Sequence, residues 1–112
     1  MDIDKYKQSL NTYNLKPTHF ALSILELLVE QGVQGMSLKQ LEKQTEIPRA
    51  SIHRYLKTLT ESGWVEANGS KQAMLWKPST HFIKLAFNYR SAVREQIDHV
   101  QSEFKKLTGE DL

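Results

Sequence analysis

The chain has 112 residues, 39% of them apolar and 25% charged, the balance of one small folded domain with an appended element. It has no cysteine, which excludes disulfides, thiolate catalysis and Cys-ligated zinc. No apolar run is long enough to span a membrane and no basic-then-apolar leader opens the chain, so the sequence reads as cytoplasmic.

The net charge of +2 is unevenly spread. Residues 32–77 carry seven basic and four acidic side chains, against three and four in 1–31 and five of each in 78–112. The excess of positive charge therefore lies in the middle of the chain.

In residues 1–16, Ile3, Tyr6, Leu10 and Tyr13 recur at spacings of three and four. That spacing predicts a short amino-terminal amphipathic helix with Asp2 or Asp4 near its start. Pro17 ends it, because the residue before a proline is pushed out of helical geometry.

A second helix is expected from Pro17 or Thr18 to Gln31, stopped by Gly32. Phe20, Ile24, Leu27 and Leu28 make one face, and Leu22, Leu25 and Val29 lie roughly opposite. A helix apolar on two sides is expected to be buried on two sides.

Ser37 with Gln40 three positions on is a capping-box pattern. It opens a short helix whose apolar side is Leu38 and Leu41, with Ile47 just beyond its end near Thr45. Pro48 then starts the next helix, where a missing N–H costs nothing. This helix, about residues 48–62, has Ile52, Tyr55, Leu56 and Leu59 on its inward side. At 100° per residue, Ala50, Arg54, Lys57 and Glu61 form the opposite row, flanked by Ser51, His53 and Thr58.

Residues 64–77 alternate β-branched, aromatic and apolar side chains around Asn68-Gly69, the favoured pair for a tight hairpin turn. From Ser79 or Thr80 to about Leu107 there is no Pro or Gly, so one long helix is expected. Its start is apolar nearly all round and calls for burial. Beyond it a single stripe remains: Ala86, Tyr89, Val93, Ile97, Val100, Phe104 and Leu107. That spacing resembles a coiled-coil seam with one irregularity.

The order of elements gives a mainly α winged helix-turn-helix with a two-stranded β-hairpin wing. It divides into an amino-terminal helix (1–16), the winged helix-turn-helix (17–78) and a long carboxy-terminal helix (79–112). The segments "ILELL", "SLKQLEKQTEIPRASIHRYLKTL" and "ESGWVE" carry a closer likeness. Over roughly residues 18–77 the chain resembles the amino-terminal DNA-binding domain of the IclR family of bacterial transcription regulators. That resemblance implies double-stranded DNA as a partner. IclR regulators also have a sizeable effector domain after the linker helix, whereas about thirty residues follow the wing here, so no small-molecule effector is expected.

The residues support DNA contact independently. Arg49, Ala50 and Ser51 lie in the first turn of the 48–62 helix, the end that enters a major groove in helix-turn-helix proteins. Small Ala50 and Ser51 permit close approach, Arg54 can reach guanine or a phosphate, Lys57 suits a phosphate, and His53 flanks the row. Ser37 and Lys39 begin the preceding helix, whose free N–H groups favour a phosphate. Asn68, Ser70, Lys71 and Gln72 form the wing tip, placed for the backbone or the minor groove. Tyr89, Val93, Ile97, Val100, Phe104 and Leu107 are the expected homodimer interface, since two copies would span a two-fold symmetric site.

His19, His53, His81 and His99 have no partner at metal-ligand spacing, and no phosphate loop or nucleophile elbow is present. Neither enzymatic activity, a cofactor nor a metal is expected. The alternative reading is a winged-helix protein–protein interaction module that makes no direct DNA contact.

Overall fold

The computed structural model describes residues 15–112. The amino-terminal helix expected over residues 1–16 therefore lies almost entirely outside the described residues. The described elements are α1 (Lys16–Glu30), α2 (Leu38–Thr45), α3 (Arg49–Glu61), β1 (Val65–Asn68), β2 (Leu75–Pro78) and α4 (Thr80–Thr108). They form a winged helix-turn-helix, as the order of signals predicts. The chain divides into one compact unit ending at Ser79 and a second comprising Thr80–Leu112.

In the first unit the helix boundaries follow local chemistry. Ser37 caps α2 with the expected box: its hydroxyl accepts from Gln40 N at 3.2 Å, and the Gln40 side chain accepts from Ser37 N at 2.8 Å. Two backbone donors that the helix start leaves orphaned are satisfied in this way. α2 ends at Glu46, a non-glycine residue in the left-handed region at φ 60°. Pro48 lies one position earlier than expected, as the N-cap of α3, and its carbonyl accepts from Ser51 N and Ile52 N.

The core is Ile24 and Leu28 from α1, Met36, Leu41 from α2, Ile47 from the turn, Ile52, Leu56 and Leu59 from α3, and Val65 from β1. Ile24, Leu28, Leu41, Ile47, Ile52, Leu56 and Leu59 are inward positions expected from the sequence; Met36 and Val65 are not among those, and the expected Phe20, Leu27, Leu38 and Tyr55 are only partly buried. Each such side chain, once buried, contributes roughly 1.5–3 kcal/mol of transfer free energy.

α1 departs from expectation. Its Ile24–Leu28 side is buried, but Leu22 is 59% and Val29 44% exposed. Leu25, the third residue of that second face, is half-buried against the core, so the expected burial on both sides is only partial among the described residues.

The wing also differs. β1 and β2 pair antiparallel with Asn68 opposite Leu75, so the connection is the six residues Gly69–Met74 rather than a two-residue turn at Asn68-Gly69. A turn within it is closed by Ala73 N donating to Ser70 O at 3.0 Å, which puts Lys71 and Gln72 at the tip. Gly69 has φ +108°, and a Cβ there would clash with the Ala73 carbonyl oxygen. Glycine is therefore required at this position to start a six-residue loop.

A third segment joins the ribbon: Met36 and Trp76 exchange backbone hydrogen bonds of 2.9 and 2.8 Å. Gly35 beside it must stay small, since a Cβ would come within 2.9 Å of the Trp76 carbonyl oxygen.

α4, taken by itself, is one continuous helix of 29 residues with no buried side chain. Its apolar start was expected to be buried, yet Ile83, Leu85 and Phe87 are 58%, 42% and 60% exposed. No helix among the described residues is long and apolar enough to cross a membrane.

Replacing Leu41 or Ile52 by Ala is expected to lower the free energy of unfolding by about 2–5 kcal/mol in urea titrations. Leu22→Ala, on the open side of α1, is expected to stay within about 0.5 kcal/mol of the parent.

Candidate nucleic-acid interface

α3 presents two contrasting faces because Ile52, Leu56 and Leu59 are fixed inward. Arg49, Ala50, His53, Arg54 and Lys57 are thereby exposed, with Ser51 half-buried beside them. The row read from the sequence is therefore open to solvent along the length of the helix. Glu61 is exposed at its far end.

The turn between α2 and α3 decides what lies next to this row. Across it, Arg49 Nε donates to Glu42 Oε2 at 2.7 Å. Both side chains are about half exposed, 56% and 42%, so the pair stabilises the fold by at most about 1 kcal/mol. Its larger effect is geometric. It holds a guanidinium with five N–H donors at the start of α3 while using one of them.

Arg54 lies with its guanidinium carbon 6.0 Å from the Tyr55 ring centroid. Tyr55 in turn packs on Phe20 of α1, with centroids 6.1 Å apart. This aromatic contact ties the exposed face of α3 to the body of the domain.

Two open cavities border α3. The first, about 530 Å³, brings together Ser37 and Lys39 from the start of α2, Arg49 from α3, and Lys71 and Gln72 from the wing loop, over a floor of Leu38, Leu75 and Trp76. Five residues singled out in the sequence from three separate segments thus share one basic hollow. The second, about 300 Å³, has His53 and Lys57 on its rim with Thr60 and Glu61, and Leu56, Ala67 and Trp76 within. Asn68 and Ser70 are exposed on the wing but line neither hollow.

Two residues of this surface escaped sequence reasoning. Glu42 is seven positions before Arg49, and only a tight turn brings them together. Trp76 looked like an ordinary strand residue, yet it lines both hollows. Its alternation in β2 carried half of that signal; the Met36 bridge that seats it is a long-range pairing that no local pattern announces. Among the described residues no cluster of His, Asp or Glu could hold a metal ion.

Comparison with known proteins places this surface in a family context. The model of the IclR helix-turn-helix domain matches residues 21–69. No curated protein matches the sequence. Several solved structures are similar in fold. HmgR of Pseudomonas aeruginosa is 21% identical with a TM-score of 0.59, covering 85% of this chain and 40% of its own. The C30AH42A mutant of Lactococcus lactis ZitR in apo form is 19% identical with a TM-score of 0.52, covering 93% and 79%. A MarR/EmrR family transcriptional regulator from Acinetobacter sp. ADP1 is 17% identical with a TM-score of 0.50, covering 96% and 87%. The chain thus spans less than half of HmgR and most of the other two.

Glu42→Gln is expected to change unfolding free energy by less than about 1 kcal/mol. Gly69→Ala forces both a clash and a left-handed alanine, and is expected to cost about 1–3 kcal/mol. Urea titrations of the two variants check the contrast.

Proposed function

We propose that this chain, whose residues 21–69 carry an IclR-type helix-turn-helix domain, is a sequence-specific regulator of transcription that binds double-stranded DNA as a homodimer. The observation that carries the reading is the exposed row on α3, adjoined by a hollow in which Lys39, Arg49 and Lys71 converge from three segments.

In this reading α3 enters the major groove by its first turns. Ala50 and Ser51 let the backbone approach base edges, while Arg49 and Arg54 supply the planar donors that suit guanine O6 and N7. His53 reaches the flank of the same site, and Lys57 neutralises a phosphate. Ser37 and Lys39 hold a phosphate at the start of α2. The wing tip, Asn68, Ser70, Lys71 and Gln72, follows the backbone or the adjacent minor groove. Phosphate contacts set register, and base contacts set sequence.

The homodimer is formed through Tyr89, Val93, Ile97, Val100, Phe104 and Leu107 of α4. Tyr89, Val93, Ile97, Val100 and Leu107 are between 41% and 84% exposed, an apolar stripe that a monomer would leave in water.

The test is titration of labelled duplexes, selected from a random pool, at two salt concentrations. Lys57→Ala is expected to weaken binding to all sequences alike and to reduce the slope of log K against log salt by about 0.9. Arg54→Ala is expected to cost about 1–3 kcal/mol and to relax preference at one base position. Light scattering is expected to give a dimer at tens of micromolar. Absence of duplex binding at low salt, or binding indifferent to both substitutions, would leave a protein–protein interaction module as the reading.

A further inference from the structure

We infer that two copies of α4 pair antiparallel, about a two-fold axis between Gln96 and Ile97. This rests on the homodimer proposed above and adds its geometry.

The first support is charge. In the first half of α4, Lys84, Arg90 and Arg94 stand against Glu95, a net +2. From Asp98 onward, Asp98, Glu103, Glu110 and Asp111 stand against Lys105 and Lys106, a net −2. Within one chain Lys105 and Lys106 are already taken up by Asp111 and Glu103, each at 3.7 Å, and Arg94 by Asp98 at 3.6 Å. Lys84 and Arg90 have no acidic partner among the described residues, so the basic end keeps its charge. Antiparallel pairing lays each basic half along the second half of the other copy, which is neutral within α4 and made acidic by Glu110 and Asp111 just past its end. A parallel pair lays like halves together, which costs energy over this length at the Debye distance of about 8–10 Å.

The second support is the spacing of the stripe. Reflected about a point between 96 and 97, position 86 falls on 107, 89 on 104, and 93 on 100, while 97 falls one residue from itself. Each apolar position therefore meets an apolar position: Ala86 with Leu107, Tyr89 with Phe104, Val93 with Val100. The layers pair a small residue with a larger one at Ala86 and Leu107, two aromatic rings at Tyr89 and Phe104, and two residues of middling size at Val93 and Val100. From Ala86 to Leu107 the stripe covers 21 residues in six steps, a mean spacing of 3.5 that matches a coiled-coil seam. Near the axis, Val93, Ile97, Val100 and Leu112 wall a shallow groove of about 270 Å³ on α4, which a side chain of the second copy fills.

The consequence concerns DNA. The winged-helix units join α4 at its amino-terminal end, so in this pair they attach at opposite ends, about 50 Å apart at 1.5 Å per residue. A parallel pair would attach them side by side.

Because the chain has no cysteine, disulfide trapping of full-length single-cysteine variants gives a clean test. Gln96→Cys, beside the axis, is expected to trap a covalent dimer on mild oxidation. Ala86→Cys and Leu107→Cys, about 30 Å from their own copies, are expected to remain uncrosslinked alone but to crosslink when the two variants are mixed and exchanged. Ala86→Cys crosslinking to itself as readily as Gln96→Cys, with the protein dimeric by light scattering, would overturn the antiparallel arrangement and leave the homodimer standing. A monomeric parent chain, the outcome if a different protein or the chain's own winged helix covers the stripe, would overturn both.

Discussion

The arrangement depends on a three-residue turn, Glu46-Ile47-Pro48, whose middle residue is buried. Ile47 is 8% exposed, so the turn is nailed to the core rather than draped over it. Glu46 supplies the reversal by adopting a left-handed backbone, unusual for a residue with a Cβ. Thr45 secures the approach: its hydroxyl donates to Leu41 O at 2.6 Å and accepts from Ile47 N at 3.3 Å. Pro48 then fixes φ at the entry to α3. With the turn rigid, the angle of α3 is set, and so is which of its sides faces outward. The Glu42–Arg49 pair follows from this, since only a tight reversal brings residues seven apart on two helices within one hydrogen bond.

The wing is held by a second set of constraints that act at long range. The Met36–Trp76 exchange pins β2 to the segment preceding α2. At the other end, Ser79 N donates to Trp64 O, the Ser79 hydroxyl donates to the Gly63 carbonyl, and Trp64 N donates to Leu59 O. The hairpin is thus fastened at both margins while its six-residue loop stays exposed. This places Lys71 opposite Lys39 and Arg49 as a consequence of backbone pairing, not of any attraction between three like charges.

What could be read from the sequence follows from the range of the physics. The capping box at Ser37 and Gln40, the boundaries of α2 to α4, and the inward set Ile52, Leu56 and Leu59 are local or helical-period effects, and the boundaries fall within about one residue of where the residues indicate. The wing turn was misplaced because Asn68-Gly69 satisfies a two-residue turn as well as it begins a longer loop. The observed register, Asn68 opposite Leu75, belongs to the longer loop, while the Met36 bridge holds β2 from outside the hairpin. The second face of α1 was expected to be buried because periodicity reports that Leu22 and Val29 are apolar, not whether anything is available to cover them. Glu42 and Trp76 were missed at the interface for the same reason: their roles depend on contacts made across turns and sheets.

A small net charge does not weaken the case for a polyanionic partner. Over the first unit's outer surface, Lys39, Arg49, Arg54, Lys57 and Lys71 lie in the segment with the positive excess, and a phosphate within a Debye length responds to these and not to the chain total. Residues 78–112 carry five basic and five acidic side chains, so that segment as a whole adds no net charge to that field. One winged helix with so few cations makes few phosphate contacts, and affinity from such contacts falls steeply with salt. Linking two units changes this without adding a contact to either, because the second binding event takes place at the effective concentration set by the link. In the proposed dimer the long exposed apolar stripe and the sparse basic face would act together: pairing through the first would supply the strength that the second lacks alone.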